Sequence, residues 1–326
     1  MVAFNGNVRR VPCRLGRGPT FSILRDGESS FLLFFRGGAI ARWNAAETAV
    51  TRTWLAFHQV GEMTGWPKPL VQSHTRRIVV HDDWTVWVWS PDGRTHQGIQ
   101  SDAAIGTIAA LPGTTDRIAV AYRNGRVDIL DEQCQVVGSH AAAEAGTWDL
   151  CATASELFVG HQRSIGAVDF FGQPTRSPIA LPDMVLHLDN YGGMILAGLN
   201  HGLLGRVDRG VFESLGIGLA LGWVEDHLIV LRKPYELERV GSDGVQGGSV
   251  RCSAIDQPFA LVSAPGLRGV ALVGRGAVSW LRHGDEQTRS AWAAPSRIRA
   301  CVPLDSRSLV IAGDEELWIL EGYLEQ

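Results

Sequence analysis

The chain repeats itself. A short apolar run, a tight polar turn and a second strand-like run recur eight times, most clearly from Arg117 to Leu130 (RIAVAYRNGRVDIL), where Asn124-Gly125 separates two alternating segments. The first apolar runs begin at Phe31, Ile78, Ile118, Leu157, Met194, Leu228, Val270 and Leu309, so successive spacings are 47, 40, 39, 37, 34, 42 and 39 residues. A period near forty residues is what one four-stranded blade consumes. The pattern predicts an all-β fold, a single closed β-propeller of eight four-stranded blades, with seven as the alternative count.

Each repeat parses as an inner strand a, then b, c and an outer strand d. In the third repeat these are Ile105 to Leu111, Ile118 to Tyr122, Arg126 to Leu130 and Cys134 to Gly138. Turn-forming residues sit at the joints, among them Asp26-Gly27, Asp116 and Asp305 between a and b, and Pro91-Asp92-Gly93 and Ser242-Asp243-Gly244 between c and d. No helix is required; only Ser139 to Gly146 (SHAAAEAG) has room for a helical turn. The eighth repeat has strands a to c, but too few residues follow for a secure outer strand. An uncovered sheet edge invites aggregation, and a spare β-capable run lies at Asn7 to Cys13. The N-terminal strand is therefore expected to complete the last blade, with residues 1–14 closing and 15–326 forming the blades of one domain spanning 1–326. Propellers grow by adding blades around an axis, so 326 residues do not force a second domain.

Composition fits this body, with 45% hydrophobic and 20% charged residues, and no apolar stretch long enough to span a membrane. Met1 to Leu15 lacks an apolar core of signal-peptide length, so the expected location is cytoplasmic. The basic residues are 28 Arg against Lys68 and Lys233 alone, a bias expected of a GC-rich bacterial genome. Five cysteines, Cys13, Cys134, Cys151, Cys252 and Cys301, stand singly in apolar contexts and read as reduced core residues, not as a disulfide frame or zinc knuckle.

At the third strand the chain resembles the WD40 repeat family. The run Asp83-Trp84-Thr85-Val86-Trp87-Val88-Trp89-Ser90-Pro91-Asp92-Gly93 is the nearest match, with Ala277-Val278-Ser279-Trp280-Leu281 and Glu316-Leu317-Trp318-Ile319-Leu320 looser. The family's Gly-His before strand a is missing, and its terminal Trp-Asp pair appears nowhere. The resemblance implies a rigid platform for protein partners without catalysis. Trp43, Trp87 or Trp89, Trp280 and Trp318 are expected to fill the packing between blades.

Strands are consumed by packing, so chemistry is sought in loops. The b-to-c turns carry Arg36, Asp82-Asp83, Arg123, His161 with Arg163, Asn200-His201, Arg232-Lys233, Arg275 and Asp314-Glu315. The a-to-b and c-to-d turns on the other face are rich in Asp and Glu, including Asp92, Asp131 and Asp243. The molecule is thus expected to be electrically two-faced despite a net charge of -4. The longest interruption, Ala56 to Pro69 (AFHQVGEMTGWPKP), emerges by parity on the basic face and carries His58, Trp66 and Lys68, the composition of a protein-binding edge. His161 and His201 occupy equivalent turns and are the best metal-ligand pair on offer, but two imidazoles without a placed carboxylate make a weak site, and no metal or other cofactor is expected. No nucleophile elbow, phosphate loop or dinucleotide fingerprint is present.

These residues point to a non-enzymatic scaffold or recognition subunit. It would hold an acidic protein or peptide through Arg36, Arg123, Arg163, Arg232, Lys233, Arg275, His58, Trp66 and Lys68. The alternative is a propeller enzyme of the lyase, lactonase or peptide-processing type, with a His- and Arg-lined funnel. The acidic total and near absence of Lys argue against nucleic acid.

Overall fold

The structure is a computed structural model that describes residues 7–12, 20–35, 39–47, 49–55, 69–92, 94–142, 146–191, 193–208, 210–224, 227–232, 236–240, 246–251, 258–262, 269–282, 289–305, 307–314 and 316–321. Within them the strands form eight four-stranded antiparallel sheets, numbered here one to eight from the sheet that begins at Thr20. Seven sheets are consecutive in sequence. The eighth combines Ala300–Pro303, Ser308–Ala312 and Glu316–Glu321 with Asn7–Pro12 from the other end of the chain.

The chain divides into two compact units, residues 1–59 with 217–326, and residues 60–216. In the first unit the order of packing is sheets six, seven, eight and one. Ile229 and Leu237 meet Val270 and Leu272 between six and seven. Trp280 and Trp292 meet Ile311 and Trp318 between seven and eight, with the Trp292 and Trp318 rings edge to face at 5.5 Å. Phe31 and Trp43 meet Val310, Leu317 and Ile319 between eight and one. The N-terminal strand is anchored in this last layer by Val11, which is buried, and along its exposed side by Arg9 and Arg10 on Glu321 and Glu316. Trp43, Trp280 and Trp318 are buried in the packing between sheets, while Trp89, also buried, stacks on His96 of its own sheet with ring centroids 4.4 Å apart. Each contributes on the order of 3 kcal/mol, judged by the cost of truncating such a side chain.

In the second unit sheets two to five stack in sequence order. Val79 and Val88 meet Ile108 and Val120, then Ala119 and Ile129 meet Leu150 and Val159, then Phe158 and Ile165 meet Leu188 and Ala197. Second strands have a neighbouring sheet on each face, which is why they read as unbroken apolar runs. Every residue of Ile118–Tyr122 and of Leu157–Gly160 is buried. Fourth strands are at the rim, and four of the five residues of His96–Gln100 are exposed.

Sheet three shows how turn chemistry sets strand ends. Its second and third strands are Ile118–Tyr122 and Arg126–Leu130, but its fourth is Val136–Ala141, later than the sequence pattern suggests. Cys134 lies instead in the turn, at a left-handed φ of 63°, and Asp131 Oδ1 accepts the amides of Gln133 and Gln135 at 2.9 and 2.8 Å. The carboxylate stabilises a wider turn and delays the strand. Sheet four repeats the device thirty-eight residues on, with Asp169 Oδ1 accepting from Phe171 and Gln173 and Gly172 in the left-handed position. The expected helical turn at Ser139 is replaced by strand as far as Ala141, because those residues pair with Arg126, Val127 and Asp128. Among the described residues the one helical segment is a 3-10 turn at Asn200–Gly202. Cys134 and Cys151 are buried and Cys301 partly so, while Cys13 and Cys252 lie outside the described residues.

The side of the second unit that carries a-to-b and c-to-d turns is latched sheet to sheet. Arg77, next to the second strand of sheet two, donates to the Glu132 carbonyl in sheet three at 2.6 Å. Arg117, at the equivalent place in sheet three, donates to the Phe170 carbonyl in sheet four at 3.2 Å and lies 4.7 Å over the Phe171 ring. Asp116 is buried, with its carboxylate accepting the amides of His74 and Thr75 at 2.8 and 2.5 Å and its carbonyl accepting Gln72 Nε2 at 2.6 Å. Burial alone would raise its pKa, but the hydrogen bonds from Thr75 and His74 outweigh burial and hold it below the usual value. Asp at this turn is therefore an architectural residue.

Candidate functional site

The opposite side of the second unit carries the b-to-c turns and the connections between sheets. A backbone hydrogen-bond frame runs across it. Ser101 N donates to the Trp84 carbonyl, Arg123 N to Ala104, Gly146 N to Arg123, Trp148 N to Gly160, Leu181 N to Arg163 and Asn200 N to Met184, all between 2.8 and 3.0 Å. Each of these connections is thereby tied to the turn of the sheet before it or after it. Turns whose amides and carbonyls are used this way present their side chains from a fixed base.

The presented side chains are aromatic as well as charged. Trp84 is 51% exposed at the tip of the sheet-two turn, and Trp148 is 43% exposed where the chain enters sheet four. Trp84 stands where it does because Asp82 Oδ1 accepts the amides of Trp84 and Thr85 at 2.7 and 2.6 Å while Oδ2 accepts Trp87 Nε1 at 3.0 Å. Beneath this turn His81 is buried, and burial pushes its imidazole pKa down. Its Nδ1 lies 3.0 Å from the Asp82 carbonyl, so Nδ1 carries the proton in the neutral ring.

Charges on this side are balanced by acids that the connections supply. Arg123 Nη2 lies 3.3 Å from Asp83 Oδ1. Arg126 grips Asp102 with both terminal nitrogens, at 3.0 and 2.5 Å, and stacks 4.3 Å over the Tyr122 ring, an arrangement that holds the Asp102 carboxyl below its usual range. His201 Nδ1 lies 2.9 Å from Asp183 Oδ2. The simple expectation of a basic face omitted Asp102 and Asp183, because it counted hairpin tips and not the connections beside them.

Of the residues expected to hold a partner, Arg123, Arg163 and Arg275 are exposed and Arg232 is partly buried, with its Nε on the Glu238 carboxylate. Arg36, His58, Trp66, Lys68 and Lys233 lie outside the described residues, as does the 56–68 loop. His161 and His201 differ in environment. His161 is 3% exposed with Nδ1 3.5 Å from Thr147 Oγ1, whereas His201 sits at the surface at a φ of 57° on its own carboxylate. Equivalent sequence positions do not make them an equivalent ligand pair. Among the described residues no group of three His, Cys, Asp or Glu side chains is placed to hold a metal ion.

The histidine that comes forward is His187, in the inner strand of sheet five (Val185–Tyr191). Val185 pairs with Leu199 and His187 with Gly198, so Leu186 is the extra residue of a β-bulge. Leu186 and His187 are both exposed in consequence. His187 Nδ1 lies 3.0 Å from Asp149 Oδ2 in the neighbouring inner strand. Sequence reasoning missed this pair, since Asp149 and His187 are thirty-eight residues apart in different repeats; an Asp opening an otherwise apolar strand (DLCA) was the available signal.

No family model matches the chain, and no curated protein matches it. Solved structures do. A chain in the crystal structure of a mitotic checkpoint complex is 15% identical, covering 84% of this chain and 100% of that one with a TM-score of 0.59. BamB from Moraxella catarrhalis is 13% identical over 97% of this chain and 100% of its own, with a TM-score of 0.72. The computationally designed Ika8 protein is 14% identical over 98% of each chain, with a TM-score of 0.74. Likeness at such identity is likeness of fold, and the fold is a β-propeller.

Proposed function

We propose that this chain is a recognition scaffold, one closed propeller domain over residues 1–326 with eight blades, whose b-to-c face holds a protein or peptide. The observation that carries the reading is the pair of exposed tryptophans, Trp84 and Trp148, set on the hydrogen-bonded frame beside Arg123 and Arg163. Aromatic side chains and Arg on a fixed base are the composition of interface anchors. One structural neighbour belongs to a mitotic checkpoint complex, which agrees with an assembly role. The partner is proposed to be acidic, drawn to Arg123, Arg163, Arg232 and Arg275 and to Arg36, His58, Trp66, Lys68 and Lys233, and the location to be cytoplasmic.

The test is a comparative pull-down. Wild type, the Trp84→Ala/Trp148→Ala variant, an Arg123→Glu/Arg163→Glu variant and an Asp92→Asn/Asp131→Asn control are each presented to the same lysate. The reading expects one protein to be retained by wild type and control but lost by the tryptophan variant, and to be retained less by the arginine variant as salt is lowered, since steering charges matter most there. Equal retention by all four would overturn it. Closure of the single ring is tested by deleting residues 1–13, which should leave sheet eight with an open edge and the protein insoluble. A truncated chain that stays soluble and melts with the full chain would refute that part.

A further inference from the structure

Two arginines flank the b-to-c turn of sheet three and are paired differently. Arg123 follows the second strand, and Arg126 opens the third. Arg126 has its guanidinium filled: both terminal nitrogens meet Asp102, at 3.0 and 2.5 Å, and its plane stacks on the Tyr122 ring. Arg123 is held by its main chain, its amide donating to the Ala104 carbonyl and its carbonyl accepting the Gly146 amide, each at 2.8 Å. Among the described residues its guanidinium makes a single hydrogen bond, from Nη2 to Asp83 Oδ1 at 3.3 Å. Both of these side chains are open to water, at 49% and 37%. An arginine fork suits a carboxylate that takes two nitrogens at about 2.8 Å, and Asp83 takes one at the far end of hydrogen-bond range. Asp82 does not compete, since its carboxylate is spent on the Trp84 and Thr85 amides and on Trp87 Nε1. The exposed aromatics belong to the same place. Trp84 follows Asp83 in the turn, and Trp148 Nε1 lies 3.1 Å from where a Cβ on Gly146 would stand, so the indole lies against the residue whose amide is bonded to Arg123.

From this contrast we propose, building on the recognition reading and resting on it, that Arg123 is the receptor for one side-chain carboxylate of the partner and that Asp83 is a stand-in which the partner displaces. The incoming acid is an Asp or Glu carried in mid-chain, as Asp83 is, beside apolar residues that cover Trp84 and Trp148. Exchange costs little, because an ion pair between two water-exposed groups is worth a factor of about five at most. The partner's acid arrives with apolar contacts and can take both terminal nitrogens, so it wins the fork. Arg123 is then an anchor, unlike rim charges that act by steering. Asp83 is an autoinhibitory contact, and its removal should strengthen binding.

The experiment is a nitrogen-15 NMR titration of the full chain with the peptide acetyl-Gly-Leu-Glu-Leu-Gly-amide and with its Gln counterpart. Neither peptide has a terminal carboxylate, so the Glu side chain is the only acid. With the unsubstituted protein the Glu peptide should bind about tenfold more tightly than the Gln peptide and should move the Arg123 guanidinium signal. Asp83→Asn should tighten the Glu peptide about threefold to fivefold and leave the Gln peptide unchanged. Arg123→Gln should abolish the preference, and Trp148→Ala should weaken both peptides alike. An Arg123 signal that ignores the Glu peptide, a preference that survives Arg123→Gln, or an Asp83→Asn variant that gains nothing overturns the proposal. Carboxylate exchange falls alone if the Trp84→Ala/Trp148→Ala variant loses the pull-down partner while Asp83→Asn brings no gain. The recognition reading falls with it if that tryptophan variant retains the partner.

Discussion

The two sides of the second unit use the same kinds of residue for different ends. Below, on the a-to-b and c-to-d side, Arg77, Arg117 and Asp116 spend their hydrogen bonds on backbone groups of the next sheet and on neighbouring turns. Above, on the b-to-c side, Arg123 meets the exposed Asp83 carboxylate, and backbone holds backbone. A charge bonded to a main-chain group is part of the wall. A charge bonded to another exposed charge can exchange that partner for a ligand at little cost, because exposed ion pairs contribute at most about 1 kcal/mol. Turn composition alone does not distinguish the two cases, since both sides are rich in Asp and Arg.

The contrast makes the lower side the sensitive one for stability. Gly138→Ala should have the largest effect, because a Cβ there would meet the Phe171 carbonyl oxygen at 2.2 Å, main chain against main chain. A loss of about 3 kcal/mol or more is expected, read from denaturant melts, and a loss below about 1 kcal/mol would mean that sheets three and four are less tightly apposed than described. Asp116→Ala should come next, at about 2 kcal/mol, since two partly buried amides lose their acceptor. Arg117→Ala should cost about 1 kcal/mol, one hydrogen bond and one ring contact. Smallest is Trp84→Ala with Trp148→Ala, within about 0.5 kcal/mol in stability although decisive for partner retention. Were the tryptophan pair to destabilise as much as Asp116→Ala, the upper side would be wall as well.

Acid should separate the sides in sequence. His81, under the upper face, has a pKa lowered by burial, so its neutral form stabilises the fold above the unfolded value near 6.5, and that contribution is lost as pH falls from there toward the folded value. Asp116 has a folded pKa below its unfolded 3.8, so its contribution is present above that value and is lost only as pH falls beneath it. Thermal melts from pH 7.5 to 3 should therefore show a first decline that His81→Gln reduces, the rest coming from His140, whose pKa burial also lowers, and a second that it does not touch. A single decline untouched by His81→Gln would break the assignment.

The sequence by itself determined the all-β class, the forty-residue period and the middle strands of the sheets. The reason is local. Second strands are buried on both faces, so the runs at Ile118 and Leu157 carry an unbroken apolar signal, and Asn124-Gly125 and the Asp-rich joints carry turn chemistry within a few residues. The third-strand tryptophans were legible for the same reason. Outer strands were less so, because a rim strand packs on one side only; the wide turn at Asp131 moved one of them by two residues. What only the tertiary structure decided is which charged residues stay available. Asp149 meets His187 through the packing of one sheet on the next, while Asp102 meets Arg126 and Asp183 meets His201 because a connection lies beside a turn or strand of the sheet it leads into. Local patterning does not encode those meetings, because each joins residues whose proximity depends on how strands and connections are stacked, and a carboxylate reads alike in sequence whether it is buried against an amide or turned to water.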